Sequence, residues 1–357
     1  MPLKGFRLLS DTGKELMNVD MEKNLEFLIA AASKSPDAVN EVLKDCPKGK
    51  VSWLMRRADL LQSLQNSLQD KVTFHFNTRL IDCKQHSEGV EVVLDGGQTI
   101  TGDMLIGCDG IKSQVRKIIH GISEPKFSGH VLAGGITYGM DQSRYANSMW
   151  QYSGNKGLSF LIAPFNNEGA VTWGLGRIAD SPKHESWNAQ GNLKEIIEAS
   201  KNFPEEVQEV VRRSQEPIVE LGLYYRKHVS ERAWFKGRIF MIGDASHATL
   251  PWIGQGANMA ICDAACLAKE LMHRCDEKPT NSQITDAFQA TQSQRVQNVA
   301  IAVQLAKYIG MLFHTKNPLV GAFRDFFYPK LLGSRAATTA LWKDLGVCGN
   351  LLDSPRK

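Results

Sequence analysis

Residues 243–260 read GDASHATLPWIGQGANMA and follow the apolar run RIFMI at 238–242. A short continuous apolar run bounded by glycine marks a strand buried on both faces. Asp244 stands where that strand ends, Pro251 breaks the chain, and the pattern predicts a helix from about Gly256. In open α/β folds, ligands bind outside the carboxyl ends of strands, where loops meet helix N-termini. An acid there accepts hydrogen bonds from ribose hydroxyls. Gly254 and Gly256 let the backbone approach a flat ring or a phosphate closely. The N–H groups of Gly256, Ala257 and Asn258 would face outward at the positive helix end, which stabilises developing negative charge. A plain surface turn is the bland alternative, and the order strand, Asp, Pro, Gly, helix weighs against it.

Working outward, a second strand-to-helix unit occurs upstream. DMLIGC at 103–108 ends in Asp109-Gly110, and IKSQVRKIIH at 111–120 reads as helix. Before it, 71–108 predicts a strand meander: VTFHF, RLIDCKQ, VEVVL, a turn at Asp95-Gly96-Gly97, and QTITGD. ADLLQSLQNSLQ at 58–69 puts Leu60, Leu61, Leu64 and Leu68 on one helical face. From about 127 to 180 the pattern is strands, followed by one helix over 192–213 and a strand in IVELGLYYRKH. After 256 the chain reads as helices over 256–274, 282–313 and about 319–340. A strand-rich segment between two strand-to-helix units predicts two intertwined domains.

Composition sets limits. The 357 residues are 43% apolar and 22% charged, with a net charge of +4, which gives no argument for a nucleic-acid partner. Seven cysteines, at 46, 83, 108, 262, 266, 275 and 348, form no C-x-x-C pair. Cys262 and Cys266 lie four apart on a predicted helix, so core packing is favoured over metal binding and no metal site is expected. Thiols scattered through apolar segments suggest a reducing, cytoplasmic or intracellular setting. MPLKGFRLLS is too short and polar for a secretory h-region. Val299–Phe313 is interrupted by Gln304 and Lys307 and reads as a core or interfacial helix. Peripheral membrane contact by this segment and by FRDFFYPKLL at 323–332 stands as the alternative to core packing.

GDASHATLPWIGQGANMAICDA closely resembles the second flavin-binding motif of class A FAD-dependent monooxygenases, the aromatic hydroxylase and epoxidase group. Ser246 replaces a usual Ala, and Cys262 stands where an acid is common. LIGCDGIKSQVR at 105–116 resembles the family's Asp-Gly motif, and Arg57-Ala58-Asp59-Leu60 its R-x-x-L helix start. The three motifs fall in family order over roughly residues 50–275. The resemblance implies an α/β fold with a Rossmann-like FAD-binding domain of the para-hydroxybenzoate hydroxylase type. It implies that Arg57 touches FAD, that Asp109 lies near the pyrophosphate, and that Arg116 fixes that loop. Asp244 would bind ribitol or ribose hydroxyls, while Pro251 through Asn258, including Gly254, Gly256 and Ala257, would line the isoalloxazine ring. Arg116 as a salt-bridging helix residue and His247 as a satisfied turn histidine remain the structural alternatives.

Family members also carry a strand, a G-x-G-x-x-G turn and a helix near their start. GLGRIA at 174–179 matches in letters but lies within a predicted strand, and GQGANM belongs to the motif above. The chain is therefore expected to begin inside the family pattern, lacking the first strand and helix, either as an incomplete gene product or as a shortened member. The expected domains are an FAD-binding domain over 1–126 and 236–280, a mainly antiparallel substrate-binding β domain over 127–235, and a C-terminal helical region over 281–357.

The resemblance implies a monooxygenase that uses NAD(P)H and O₂, through a flavin C4a-hydroperoxide, on a small aromatic, polyketide or terpenoid compound. Tyr138, Trp150, Tyr152, Trp173, Arg177, Tyr224, Tyr225 and Arg226 are candidate substrate contacts, of which a strand shows only alternate residues to one face. Tyr152 and Arg177 are the candidates for orienting or deprotonating a phenolic or enolic substrate. A shortened protein with isomerase, cyclase or no activity is the competing reading. A flavin-dependent halogenase is disfavoured, since W-x-W-x-I-P is absent and WQY at 150–152 is the nearest approach.

Overall fold

The structure, a computed structural model, describes residues 2–21, 52–68, 71–145, 147–154, 156–165, 169–183, 190–227 and 229–333. Cys46, Cys348 and the end of the helix expected to reach 340 lie outside the described residues. The principal strands are β1 (Gly5–Ser10), β2 (Glu15–Asp20), β3 (Leu80–Gln85), β4 (Val90–Leu94), β5 (Thr99–Gly102), β6 (Leu105–Gly107) and β7 (Lys126–Thr137). They continue with β8 (Ser148–Ser153), β9 (Leu158–Pro164), β10 (Val171–Ile178), β11 (Val219–Tyr225), β12 (Phe235–Lys236) and β13 (Ile239–Met241). The helices are α1 (Arg57–Leu68), α2 (Gln114–His120), α3 (Leu193–Ser200), α4 (Glu205–Arg212), α5 (Gly256–Arg274), α6 (Asn281–Phe313) and α7 (Pro318–Gly333). The chain divides into two compact units: residues 1–71, 129–223 and 310–357, and residues 72–128 and 224–309.

The first unit is built on a seven-stranded sheet of order β11-β7-β10-β9-β8-β1-β2. Its register decides which side chains share a face. Trp150 pairs with Ile162, Tyr152 with Phe160, Ile162 with Trp173 and Phe160 with Leu175. These residues therefore line one face, and Ile196, Phe203, Val207, Val210 and Val211 pack on it as one core. The single helix predicted over 192–213 is two. Asn192 caps α3 through the Lys194 N–H, and the chain restarts at Pro204, the N-cap of α4. A proline has no N–H for a continuing ladder, so the break falls there. The opposite face carries Leu132, Gly134, Ile136, Met149, Gln151, Leu161, Thr172 and Gly174, all half-buried.

The second unit contains the predicted buried strands. β13 and β6 pair in parallel, Ile239 with Leu105 through Met241 with Gly107, and β12 adds antiparallel to β13. Their apolar run is the core: Ile239 and Met241 pack with Val115, Ile119, Val90 and Cys83. Arg238 pins the base of β13, donating to Asp103 O (3.0 Å), Ser87 O (3.0 Å) and Asn281 Oδ1 (2.7 Å). β3, β4 and β5 form the expected antiparallel meander. VTFHF at 72–76 is not a strand. Phe74 and Phe76 are exposed and stack on each other at 5.7 Å, so its alternation reflects a local aromatic pair rather than sheet packing.

The observed units differ from the predicted domain boundaries. Residues 5–20 join the seven-stranded sheet because β1 pairs in parallel with β8, a partnership about 140 residues apart that periodicity cannot reveal. Residues 281–309 join the second unit, where Ile284, Ala287, Phe288, Val299, Ala302, Val303 and Ala306 are buried along α6. By length and composition α6 is apolar enough to cross a membrane, and these buried residues recur along it.

Candidate cofactor site

The turn after β13 is organised from beneath. Gly243 has φ +57°, and a Cβ there would sit 3.0 Å from the Ala260 side chain, so helix α5 packs directly on its backbone. The Gly243 N–H donates to Asp263 Oδ2 at 3.1 Å. Asp263 is fully buried on α5 and also meets His247 Nε2 at 2.5 Å and accepts from Arg295 Nε at 2.9 Å. Burial pushes the Asp263 carboxyl up, but His247 and Arg295 outweigh it and hold it below its ordinary range. A carboxylate with three donors or cations around it tolerates burial that an isolated one would not. Asp244, the next residue, remains exposed at the end of the parallel strands.

Pro251–Ile253 form a single 3₁₀ turn closed by the Gly254 N–H on Pro251 O (2.9 Å). Gly254 has φ +64°, in the left-handed region, and a Cβ there would meet nothing within 4 Å. The turn thus leaves its backbone open to approach at Gly254. Helix α5 starts immediately after it, and Gln255 at its N-cap makes no side-chain capping bond. The outward N–H groups of Gly256, Ala257 and Asn258 therefore sit at the uncapped positive end of a 19-residue helix. Pro251, Gly254, Ala257 and Asn258 are exposed and Gly256 is half-buried. An open glycine cradle, an uncapped helix end and an exposed strand-end acid fit the ring and polyol chain of FAD.

Asp109, exposed after β6, organises the turn that follows it. Its Oδ1 accepts from Ser113 Oγ (2.5 Å), and its Oδ2 accepts from the backbone N–H groups of Gln114 (2.7 Å) and Val115 (3.0 Å). It caps α2 and so shapes the Asp-Gly turn, where Gly110 has φ +76°. Arg116, buried on α2, donates through Nη1 to Ala245 O (3.2 Å) and Ser246 O (3.1 Å). It is not a salt-bridging residue, since those partners are carbonyls. It braces the turn after β13 rather than the loop of Asp109. Burial, with Arg226 and Arg232 nearby, lowers its pKa to about 10, still fully charged at neutral pH.

The second unit thus brings together Asp109, Arg116, Asp244, Pro251, Gly254, Gly256, Ala257 and Asn258. Arg57, Tyr152 and Arg177 belong to the first unit. Arg57 is exposed at the first residue of α1, and its neighbour Arg56 makes the local ion pair with Asp59 at 2.7 Å. The two catalytic candidates sit in packing roles. Tyr152 is fully buried in the core under α3 and α4, its hydroxyl donating to Glu206 Oε1 at 3.0 Å. Burial and the Glu206 carboxylate raise its pKa well above the ordinary tyrosine range, which suits no base. Arg177 shares that face and is engaged by Glu220 at 2.7 Å. Trp150 and Trp173 lie there too, Trp150 under Arg7 (5.0 Å) and Trp173 stacked on Phe160 (5.7 Å). Tyr138 is exposed, Tyr224 packs on Phe127 at 5.2 Å, and Tyr225 is buried. Aromatic identity pointed to these residues, but strand register turned Trp150, Tyr152, Trp173 and Arg177 toward the helix-covered face. Sequence reasoning missed Asp263 and Arg295. Asp263 was visible as the closing Asp of the motif, whereas nothing in the sequence signals a partner 32 residues further on.

The family described as FAD binding domain matches residues 19–302. The chain belongs to this family. Among its relatives, chloroplastic zeaxanthin epoxidase of an Oncidium hybrid cultivar is 26% identical over 280 residues, covering 76% of this chain and 40% of that protein. The FAD-dependent monooxygenase esdpE of Penicillium shearii is 25% identical over 312 residues, covering 77% and 61%. The chain thus spans about two fifths to three fifths of the length of these relatives. Among solved structures, Klebsiella pneumoniae HpxO complexed with FAD and uric acid gives a TM-score of 0.74 at 19% identity, covering 97% of this chain and 81% of that one. CtdE in complex with FAD and a substrate gives 0.70 at 19% identity, covering 99% and 83%. The flavin hydroxylase fold is therefore that of this FAD-binding chain.

Proposed function

We propose that the chain is the FAD-bearing part of a monooxygenase that uses NAD(P)H and O₂ to hydroxylate or epoxidise a small organic compound. The observation that carries this reading is the cradle at Pro251–Asn258: a left-handed, open Gly254 joined to the uncapped N-terminus of α5. When bound, FAD supplies the redox chemistry and the activation of oxygen. The residues of this chain do the rest. Asp244 would hold the polyol hydroxyls of FAD, and the α5 N–H groups would favour negative charge on the group bound there. The Asp263 network keeps Gly243 and α5 in register beneath them.

The sheet face of Leu132, Ile136, Met149 and Leu161 in the first unit carries Gln151 and Thr172 as half-buried polar residues and His130, Ser153 and Ser159 as buried ones. Gln151 donates to the carbonyls of Tyr152 (3.2 Å) and Phe160 (3.4 Å), and Thr172 to Gly135 O (3.3 Å). A face whose paired residues include no carboxylate, lysine or arginine favours a neutral, largely apolar substrate over an anionic one. FAD is added to the purified chain as the test. A yellow complex whose NAD(P)H oxidation is stimulated by neutral apolar compounds is expected, with one oxygen atom of ¹⁸O₂ in the product. A colourless protein that transforms such compounds without oxygen would refute the reading.

A further inference from the structure

Arg226 was a substrate-contact candidate in the sequence, and the structure gives it a different position. It follows β11 at the start of the second unit's C-terminal segment, and its residue is about nineteen-twentieths buried. Its backbone N–H donates to Ala248 O at 2.9 Å, in the turn after β13. Its side chain reaches the other turn: Nη2 donates to Ile111 O at 2.6 Å, and Nη1 to Ser123 O and to Ser123 Oγ (3.1 Å). Arg116 runs the opposite way, from the helix behind the Asp-Gly turn to Ala245 O and Ser246 O. Its Nε also points at Ser123 Oγ, at 3.5 Å.

These contacts close a circuit. The turn at 109–113 is held by Arg226, Arg226 by Ala248, the turn at 244–248 by Arg116, and α2 with Arg116 by its Asp109 cap. Both guanidinium groups are hydrogen-bonded to carbonyl and hydroxyl oxygens, and Glu124 acts on Arg226 from further off. Two buried cations satisfied by neutral carbonyls are costly to desolvate, and a nearby anion would relieve that cost.

We infer that Arg226 is a positioning residue for the flavin, cross-bracing with Arg116 the two turns that receive FAD and adding buried positive charge beside them. This rests on the proposed flavoprotein reading. The charge on Arg226 makes it more than a bolt: carbonyl-bound guanidinium both fixes the Asp-Gly turn and favours the anionic cofactor.

The test uses the whole chain, with R226Q, R226K and the milder S123A, titrated with FAD by fluorescence. R226Q is expected to weaken FAD by about tenfold or more, the size of one lost charged hydrogen bond. The visible flavin spectrum and midpoint potential should shift with it. R226K, which keeps the charge, should recover part of the affinity and most of the potential, and S123A should cost about threefold. R226Q binding FAD within twofold of wild type would overturn the inference. So would a lower melting temperature of the apoprotein with an unchanged flavin potential, which marks a role in stability alone. If R226Q does not fold, S123A and R226K decide, and wild-type affinity and potential in both would reject it. A wild-type chain that takes up no FAD removes the flavoprotein reading itself and this inference with it. That result is distinct from variants that match a competent wild type.

Discussion

The turn after β13 and the sheet of the first unit both carry polar and aromatic residues conspicuous in the sequence, and the fold exposes the first set and buries much of the second. At the turn, Asp244, Pro251, Gly254, Ala257 and Asn258 stay exposed around an open backbone. On the sheet, Tyr152 and Trp173 are buried under α3 and α4, and Arg177 is tied to Glu220. A motif in a turn fixes backbone shape locally, so its chemistry survives whatever packs nearby. A strand residue acquires its role only when a face is chosen, and one step along the strand reverses that choice.

The comparison can be broken most severely at Asp263. Asp263→Ala leaves His247 and Arg295 without their buried carboxylate, and about 3–5 kcal/mol of stability in the second unit should be lost, read by denaturant unfolding. A loss below about 1 kcal/mol would show the network under the turn to be dispensable.

The first unit has its own weak point, and it is set by pH. His314 is buried, accepted by the Gly310 carbonyl at 2.7 Å and 2.8 Å from Ser159 Oγ. Burial lowers its pKa to about 3, against the opposing Gly310 bond and with help from His130 and Arg324. The folded chain then binds fewer protons than the unfolded chain between about pH 3 and 6.5, so stability falls as pH falls through that window. From pH 7 to pH 5 the loss should be about 2 kcal/mol. Melting curves across this range should flatten in His314→Gln, and an equally steep wild-type-like slope in that variant would place the titrating group elsewhere.

Gly254→Val sharpens the contrast at smaller cost. A β-branched residue at φ +64° should destabilise by about 1–2 kcal/mol while filling the open cradle, so FAD affinity should drop far more than the melting temperature. Comparable FAD binding would mean that the cradle is not the ring site. Tyr152→Phe is the smallest change: about 1 kcal/mol for the hydroxyl bonded to Glu206, with FAD binding and turnover rate unaltered. A large fall in turnover at preserved stability would restore Tyr152 as a catalytic residue.

Much of the second unit was legible because its elements carry local signals. The runs RIFMI and DMLIGC became β13 and β6, each ending in a glycine-bearing turn. The meander from Leu80 to Gly102 likewise followed its alternation and the Asp95-Gly96-Gly97 turn. Where local pattern misled, a particular physical cause intervened. Phe74 and Phe76 alternate like a strand but stack on each other, and Pro204 divides a helix whose apolar spacing runs through it.

By itself the sequence determined the family and the shape of the turn after β13, because glycine conformation, helix starts and strand ends are written within a few positions of one another. The tertiary structure alone decided that Asp109 caps α2, that Arg116 and Arg226 brace opposite turns, and that Asp263 joins His247 to Arg295. It also decided which sheet face Tyr152 and Arg177 occupy. Those assignments depend on contacts between residues tens to more than a hundred positions apart, and the free energy of burying a charge or an aromatic ring is fixed only when such partners meet.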